Sequence, residues 1–303
     1  MDNDGRLRRR SAARARRRRR RLAAVGVIVA AALAAGLVLA ASRPGRRTPA
    51  PGVAATPTTA PKAPSPATVR QGPVEPPGRR VPILMYHATE AAPPGSRYPG
   101  LWVSKPRLEA EMAMLRRRGF HAVTMRALAA YWQRRGTLPR KPIVLTFDDG
   151  YRSDATNAMP VLRHYGSPGV LYLQAGALKT PGPQGMSRAE VRSVLRNGWE
   201  LGSHTIDHSD LSTLGQTQLR YEVAYSRRYF ERMFGVPIES FCYPAGKFNA
   251  AAVASVARAG YATATTVQEG LADRRQRLTL RRIRVDATDT AQTLALKLAP
   301  AGA

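Results

Sequence analysis

The run Ile143-Val144-Leu145-Thr146-Phe147-Asp148-Asp149-Gly150 decides how this chain is read. It is an apolar strand that ends in two adjacent carboxylates and a glycine. Neighbouring residues on an extended strand point to opposite sides, but a turn at Gly150 can bring both carboxylates to the same mouth. A solvated Asp-Asp-Gly turn is the bland alternative, so the surrounding chain has to discriminate.

Outward from that run, short apolar segments alternate with longer periodic ones. Strands are expected at Pro82 to Tyr86, Ala122 to Thr124, Ile143 to Phe147, Val170 to Leu173, Trp199 to Gly202, Ser240 to Tyr243, Tyr261 to Thr265 and Leu280 to Val285. A helix is expected after Ser104 as N-cap, with Pro106 in its first turn, Leu108, Met112 and Leu115 on one face and Gly119 as its stop. Another runs from Gln216 to Phe234 and ends at Gly235, with Leu219, Val223, Phe230 and Met233 at helical spacing as core residues. No fixed-period repeat is present. The alternation therefore predicts an α/β fold, a closed or nearly closed parallel barrel, whose functional residues sit at the C-terminal ends of strands.

A second polar cluster falls at such an end. Ser203-His204-Thr205-Ile206-Asp207-His208 follows the Trp199 to Gly202 strand, and it holds two of the five histidines in the chain. Imidazoles four apart lie on one helical face or converge in a turn, at a spacing that suits a borderline divalent metal such as zinc. Two unrelated surface histidines are the alternative. With the Asp pair, the two clusters offer a metal two imidazoles and a carboxylate and leave a second carboxylate to act as a base, the composition of a hydrolytic site.

Thr146 to Gly150 followed by Ser203 to His208, in that order and at that separation, resembles the polysaccharide deacetylases of carbohydrate esterase family 4. The resemblance covers Val81 to Asp286 and is nearest a subgroup with rearranged motifs that includes poly-N-acetylglucosamine deacetylases. It implies a distorted (β/α) barrel that removes acetyl groups from an N-acetylated polysaccharide. Asp148 is then the general base, and Asp149, His204 and His208 hold one divalent ion, zinc first, with cobalt or nickel as the other expectations. Phe241 to Gly246 resembles a third family motif, so Tyr243, Pro244 and Ala245 are expected at the substrate, with a backbone N–H near Ala245 facing the oxyanion. Cys242 stands where many members carry an arginine that supports the base, which implies a different support or a weaker enzyme.

Family members usually protonate the leaving nitrogen from a histidine late in the barrel, and none follows His208. The role is assigned instead to His87, after the first strand, because in a closed barrel the first strand lies beside the last. His121 and His164 are read as structural or solvated. Cys242, the single cysteine, rules out an intrachain disulfide and is read as a small buried strand residue.

The rest of the chain sets location. Of the formal net charge of +28, eleven arginines against two aspartates put +9 in a basic tail, residues 1–21, almost all Arg and Ala from Arg6 to Arg21, and the balance from Arg80 onward is still basic. Uncharged residues 22–41 follow, and about 20 residues rising 1.5 Å each span a bilayer core. Arginines before such a span and few charges after it place the N-terminus in the cytoplasm and everything beyond outside the cell membrane. A cleaved signal segment, giving a secreted protein, is the alternative, since small residues occur near Ala40 and Ala41. Residues 42–80, rich in Pro, Ala and Thr, read as a disordered linker, and 81–303 as the catalytic domain. Two other functions remain: a catalytically inactive carbohydrate-binding domain of the same fold, and a basic nucleic-acid-binding protein, which the apolar span disfavours.

Overall fold

The computed structural model describes residues 80–179 and 184–301. The basic tail, the apolar span 22–41 and the linker up to residue 79 lie outside the described residues. No helix among the described residues is long and apolar enough to cross a membrane.

Among the described residues eight strands occur: β1 (Ile83–Tyr86), β2 (His121–Ala122), β3 (Pro142–Asp149), β4 (Val170–Leu173), β5 (Glu200–Ser203), β6 (Ser240–Cys242), β7 (Thr263–Glu269) and β8 (Leu280–Arg284). Every pairing between them is parallel. β1 pairs with both β3 and β8, so the order β1-β8-β7-β6-β5-β4-β3 returns on itself and closes a seven-stranded barrel. β2 stands outside that ring. Its two residues pair with Pro142 and Ile143, while β4 takes the later part of β3, Thr146 to Asp149.

The alternation along β3 sets up the site. Ile143, Leu145 and Phe147 pack outward in the core shared with the helices, and Val144 packs inward with Ile83, Val170, Tyr172, Cys242 and Leu280. Period two then carries Thr146 and Asp148 into the barrel. Outside, Phe147 stacks on Tyr86 at 5.2 Å and packs against Trp199 at 4.8 Å. Such aromatic pairs contribute about 0.5–1.5 kcal/mol each beyond their buried area, which pins the end of β3 where the carboxylates emerge.

The helices follow the sequence pattern with two departures. Ser104 occupies the cap position of Lys105–Arg117, but its hydroxyl makes no capping bond, and Pro106 fixes the first turn. Gln216–Phe234 is helical throughout and stops at Gly235 (φ 69°), yet its middle, Arg220–Tyr225, widens into a π-turn. That turn buries Glu222, which becomes part of the site's support.

Candidate active site

The strand ends converge on a cleft of about 960 Å³ lined by His87, Asp148, Asp149, His204, His208 and Ala245, with Arg97, Tyr98, Tyr151, Gln174, Gln184 and Arg284 among its walls. Asp148 completes the inward face of β3. Asp149 then takes φ 73° and Gly150 φ 80°, a left-handed pair that turns the second carboxylate toward the cleft instead of the opposite side of the sheet. A Cβ on Gly150 would lie 2.4 Å from Leu173 Cδ1, so this turn admits no side chain without repacking.

The histidines converge through a turn and not along a helix. Thr205 (φ 72°) and His208 (φ 54°) both occupy the left-handed region. The turn is tied by hydrogen bonds: Thr205 N–H donates to Ser203 Oγ at 3.2 Å, and His208 N–H to Thr205 Oγ1 at 3.0 Å. Glu222 of the π-turn accepts from the N–H groups of Ile206 and Asp207 at 2.9 and 3.0 Å and from Ser209 Oγ at 3.1 Å. These bonds offset the cost of two strained backbone positions, roughly 1–3 kcal/mol each.

Asp149 Oδ1 lies 3.4 Å from His204 Nε2 and 3.4 Å from His208 Nε2. One donor atom from each of the three residues falls within 4.8 Å of the others, a spacing that fits a single divalent ion. His204 Nδ1 lies 2.8 Å from the Cys242 carbonyl; as the donor there, it leaves the Nε2 lone pair directed at the cluster. Burial pulls the His208 imidazole pKa down, which favours the neutral, ligating form. Burial alone would raise the Asp149 carboxyl, but hydrogen bonding and charge from His204 bring it below its ordinary value.

Asp148 is held differently. Arg282 is fully buried and donates Nη1 to Oδ1 at 2.8 Å and Nη2 to Oδ2 at 2.7 Å. Its remaining N–H groups reach Thr146 Oγ1, Cys242 Sγ and the Thr266 carbonyl. All five guanidinium hydrogens therefore have partners, which a buried charge requires. Burial would push the Asp148 carboxyl up, and the Arg282 guanidinium overrides this and holds it well below the usual carboxylate range. The arginine that the third motif lacks at Cys242 thus arrives from β8. Sequence reasoning missed it, although an arginine two residues after an inward Leu280 on a strand, Leu280-Arg281-Arg282, signals a buried cation in need of an anion.

His87 lies in the cleft with Nε2 4.0 Å from Asp148 Oδ2, and its strand, β1, sits beside β8 as the closed barrel demands. Its buried Nδ1 has no hydrogen-bond partner among the described residues. Burial lowers its pKa against the pull of Asp148 and Asp149, so the resting imidazole is neutral and not the standing imidazolium that an acid role suggests. Of the three third-motif residues, only Ala245 (φ 50°) lines the cleft. Tyr243 and Pro244 are buried, and Tyr243 Oη donates to the Leu278 carbonyl at 3.0 Å. His121 is exposed with Nδ1 2.9 Å from the Arg140 carbonyl, and His164 packs edge-on against Tyr165; neither lines the cleft.

A parallel barrel with a paired carboxylate, an Asp-His-His cluster and an open cleft at its strand ends is the frame of a metal-assisted hydrolase. Residues 135–264 match the family model described as polysaccharide deacetylase, a family of hydrolases acting on carbon–nitrogen bonds. Among relatives, a Bacillus subtilis (strain 168) protein that bears the name of a polysaccharide deacetylase is 28% identical over 207 residues, covering 68% of this chain and 71% of its own. The poly-β-1,6-N-acetyl-D-glucosamine N-deacetylase of Escherichia coli (strain K12) is 26% identical over 210 residues, 56% of this chain; the match spans only 31% of that enzyme. Among solved structures, a polysaccharide deacetylase from Bacillus cereus superposes with a TM-score of 0.65 at 26% identity, over 73% of this chain and 69% of that one.

Proposed function

We propose that the protein removes acetyl groups from the nitrogen of an N-acetylated polysaccharide, such as an N-acetylglucosamine polymer, with one divalent ion held by Asp149, His204 and His208. The observation that carries this reading is the pairing of two differently held carboxylates in one cleft: Asp149 among imidazoles, and Asp148 clamped by Arg282. When bound, a divalent ion supplies Lewis acidity to the acetyl carbonyl and a more acidic water; zinc is the first candidate, cobalt or nickel the next.

The chain's own residues do the proton work. Asp148, ionised at any working pH, accepts one proton as the water oxygen bonds to the carbonyl carbon. Its depressed pKa makes it a brief resting place for that proton, and neutral His87, 4.0 Å away, is placed to take it on. From His87 the proton passes to the leaving nitrogen as the carbon–nitrogen bond breaks, giving acetate and an amine. The turn at Ala245 offers backbone to the developing oxyanion, as the family resemblance implies. Arg282 keeps Asp148 ionised and fixes its orientation without touching substrate. An inactive glycan-binding domain had its main support in the missing arginine, and Arg282 removes that support.

The proposal extends to place. The Arg run and the apolar residues 22–41 support a cytoplasmic N-terminus, a single membrane span and a catalytic domain outside the cytoplasm. Incubating the full chain with a panel of acetylated glycans and reading acetyl loss by mass spectrometry tests the activity; no loss from any glycan counts against it. Protease added to intact cells tests the topology: cleavage in the linker is expected, and cleavage confined to permeabilised cells contradicts it.

A further inference from the structure

The cleft contains cations that the chemistry above does not use. Arg284 lies two residues beyond Arg282 on β8, so the two share the inward face of the strand, Arg282 one layer down beside Asp148 and Arg284 at the mouth. β1 pairs Met85 with Arg284, which sets this guanidinium's strand position beside the strand that leads to His87. Arg97 lines the same mouth, over the ring of Tyr98 at 5.3 Å from its centroid, and Tyr98 itself is 58% exposed. Among the described residues, no carboxylate lies within ion-pair distance of either guanidinium; the nearby Glu269 accepts the Arg284 backbone N–H instead, at 3.1 Å.

Among the described residues, the carboxylates lining the cleft are Asp148 and Asp149 alone. Arg282 neutralises the first, and the second sits between two imidazoles in the cluster that fits a divalent ion. The mouth is therefore positive, and more so with the ion present. Each deacetylation leaves an ammonium on the glycan near pH 7, and a positive mouth repels a polymer that gains positive charge as it is processed. A substrate that carries its own negative charge is attracted throughout.

We propose that this cleft selects an N-acetylated glycan bearing an anionic group, carboxylate or phosphate, close to the hydrolysed acetamido sugar, and that Arg284 and Arg97 read that group. A guanidinium pairs with either anion through charge-assisted hydrogen bonds, and Tyr98 offers a sugar-stacking face beside it. This inference rests on the deacetylase reading above and names the substrate class for the same site.

The test compares the full chain on three oligosaccharides of equal length: neutral N-acetylglucosamine, alternating N-acetylglucosamine and a lactyl-ether carboxylate sugar, and a phosphate-bearing counterpart. Expected is a kcat/KM on the order of tenfold higher for at least one anionic substrate, expressed in KM and shrinking as salt rises. Which anionic arm shows the gain identifies the group. Arg284→Gln and Arg97→Gln should bring the ratio toward one, whereas Arg284→Lys should keep part of it. Equal kcat/KM on all three, or a preference that survives both glutamine variants, overturns the inference and leaves the deacetylase reading standing. Acetate release from none of them overturns both.

Discussion

Arg282 holds Asp148 through two parallel hydrogen bonds of 2.8 and 2.7 Å across 134 residues of sequence, with both partners buried. Removing one partner of such a pair leaves the other buried and unpaired, which costs about 3–5 kcal/mol. Arg282→Met should therefore lose roughly that much stability in urea unfolding. It should also move the acid limb of the activity profile to higher pH, because Asp148 loses the charge that depresses its pKa. A stability loss under about 1 kcal/mol with an unmoved profile would mean that Arg282 does not set the state of Asp148.

Glu111 gives a second, independent pH dependence. It is buried in the helix Lys105–Arg117 and accepts from Tyr86 Oη at 2.9 Å. Burial pushes its carboxyl from 4.5 up to about 7. The folded protein thus holds this proton more tightly than the unfolded chain does. The contribution is fully present below the unfolded value and is lost as pH rises through about 7. Glu111→Gln cannot lose it, so the Tm of the variant should gain on the parent between pH 5 and 8, by on the order of 2–3 kcal/mol in stability. Parallel Tm curves would show that Glu111 titrates normally.

How much of this was legible follows from where the information lies. Apolar runs placed the seven barrel strands, Val170 to Leu173 to the residue, because each buries most of its length, whereas β2, a two-residue strand that is not buried, overlaps the expected Ala122 to Thr124 only at Ala122. The end of β7 was not visible: it continues from Thr265 to Glu269 across an irregular register with β8, where a single apolar residue, Val267, lies between buried Thr266 and exposed Gln268 and Glu269. Nor could helical periodicity disclose the π-turn that brings Glu222 under the histidine loop, since one extra residue in a turn leaves the apolar spacing nearly intact. Asp148, Asp149, His204 and His208 stood out because rare polar types clustered at strand ends. Arg282 did not, because its partner is fixed only by closure of the ring, and Tyr243 turned to the core because its hydroxyl finds the Leu278 carbonyl.

The Asp149, His204 and His208 cluster makes a direct compositional prediction. The full chain should bind one divalent ion, and His204→Ala should purify without it by elemental analysis, since the ligand atoms remaining cannot close the site. Stoichiometric metal in that variant would contradict the assignment.

His87→Ala should keep its metal and its fold while kcat falls on the order of 10²–10⁴, the usual worth of a positioned proton donor. Turnover within a few-fold of the parent would make His87 structural and require another route for the proton to the nitrogen.

The most direct test of the account is acetate release from an N-acetylated glycan by the full chain supplied with zinc, beside Asp148→Asn under the same conditions. Steady acetate release by the parent is expected, with one new amine per acetate, and a rate at least about 10²-fold lower in the variant with its metal retained. Comparable rates for the two proteins, or no acetate from the metal-loaded parent, would contradict it.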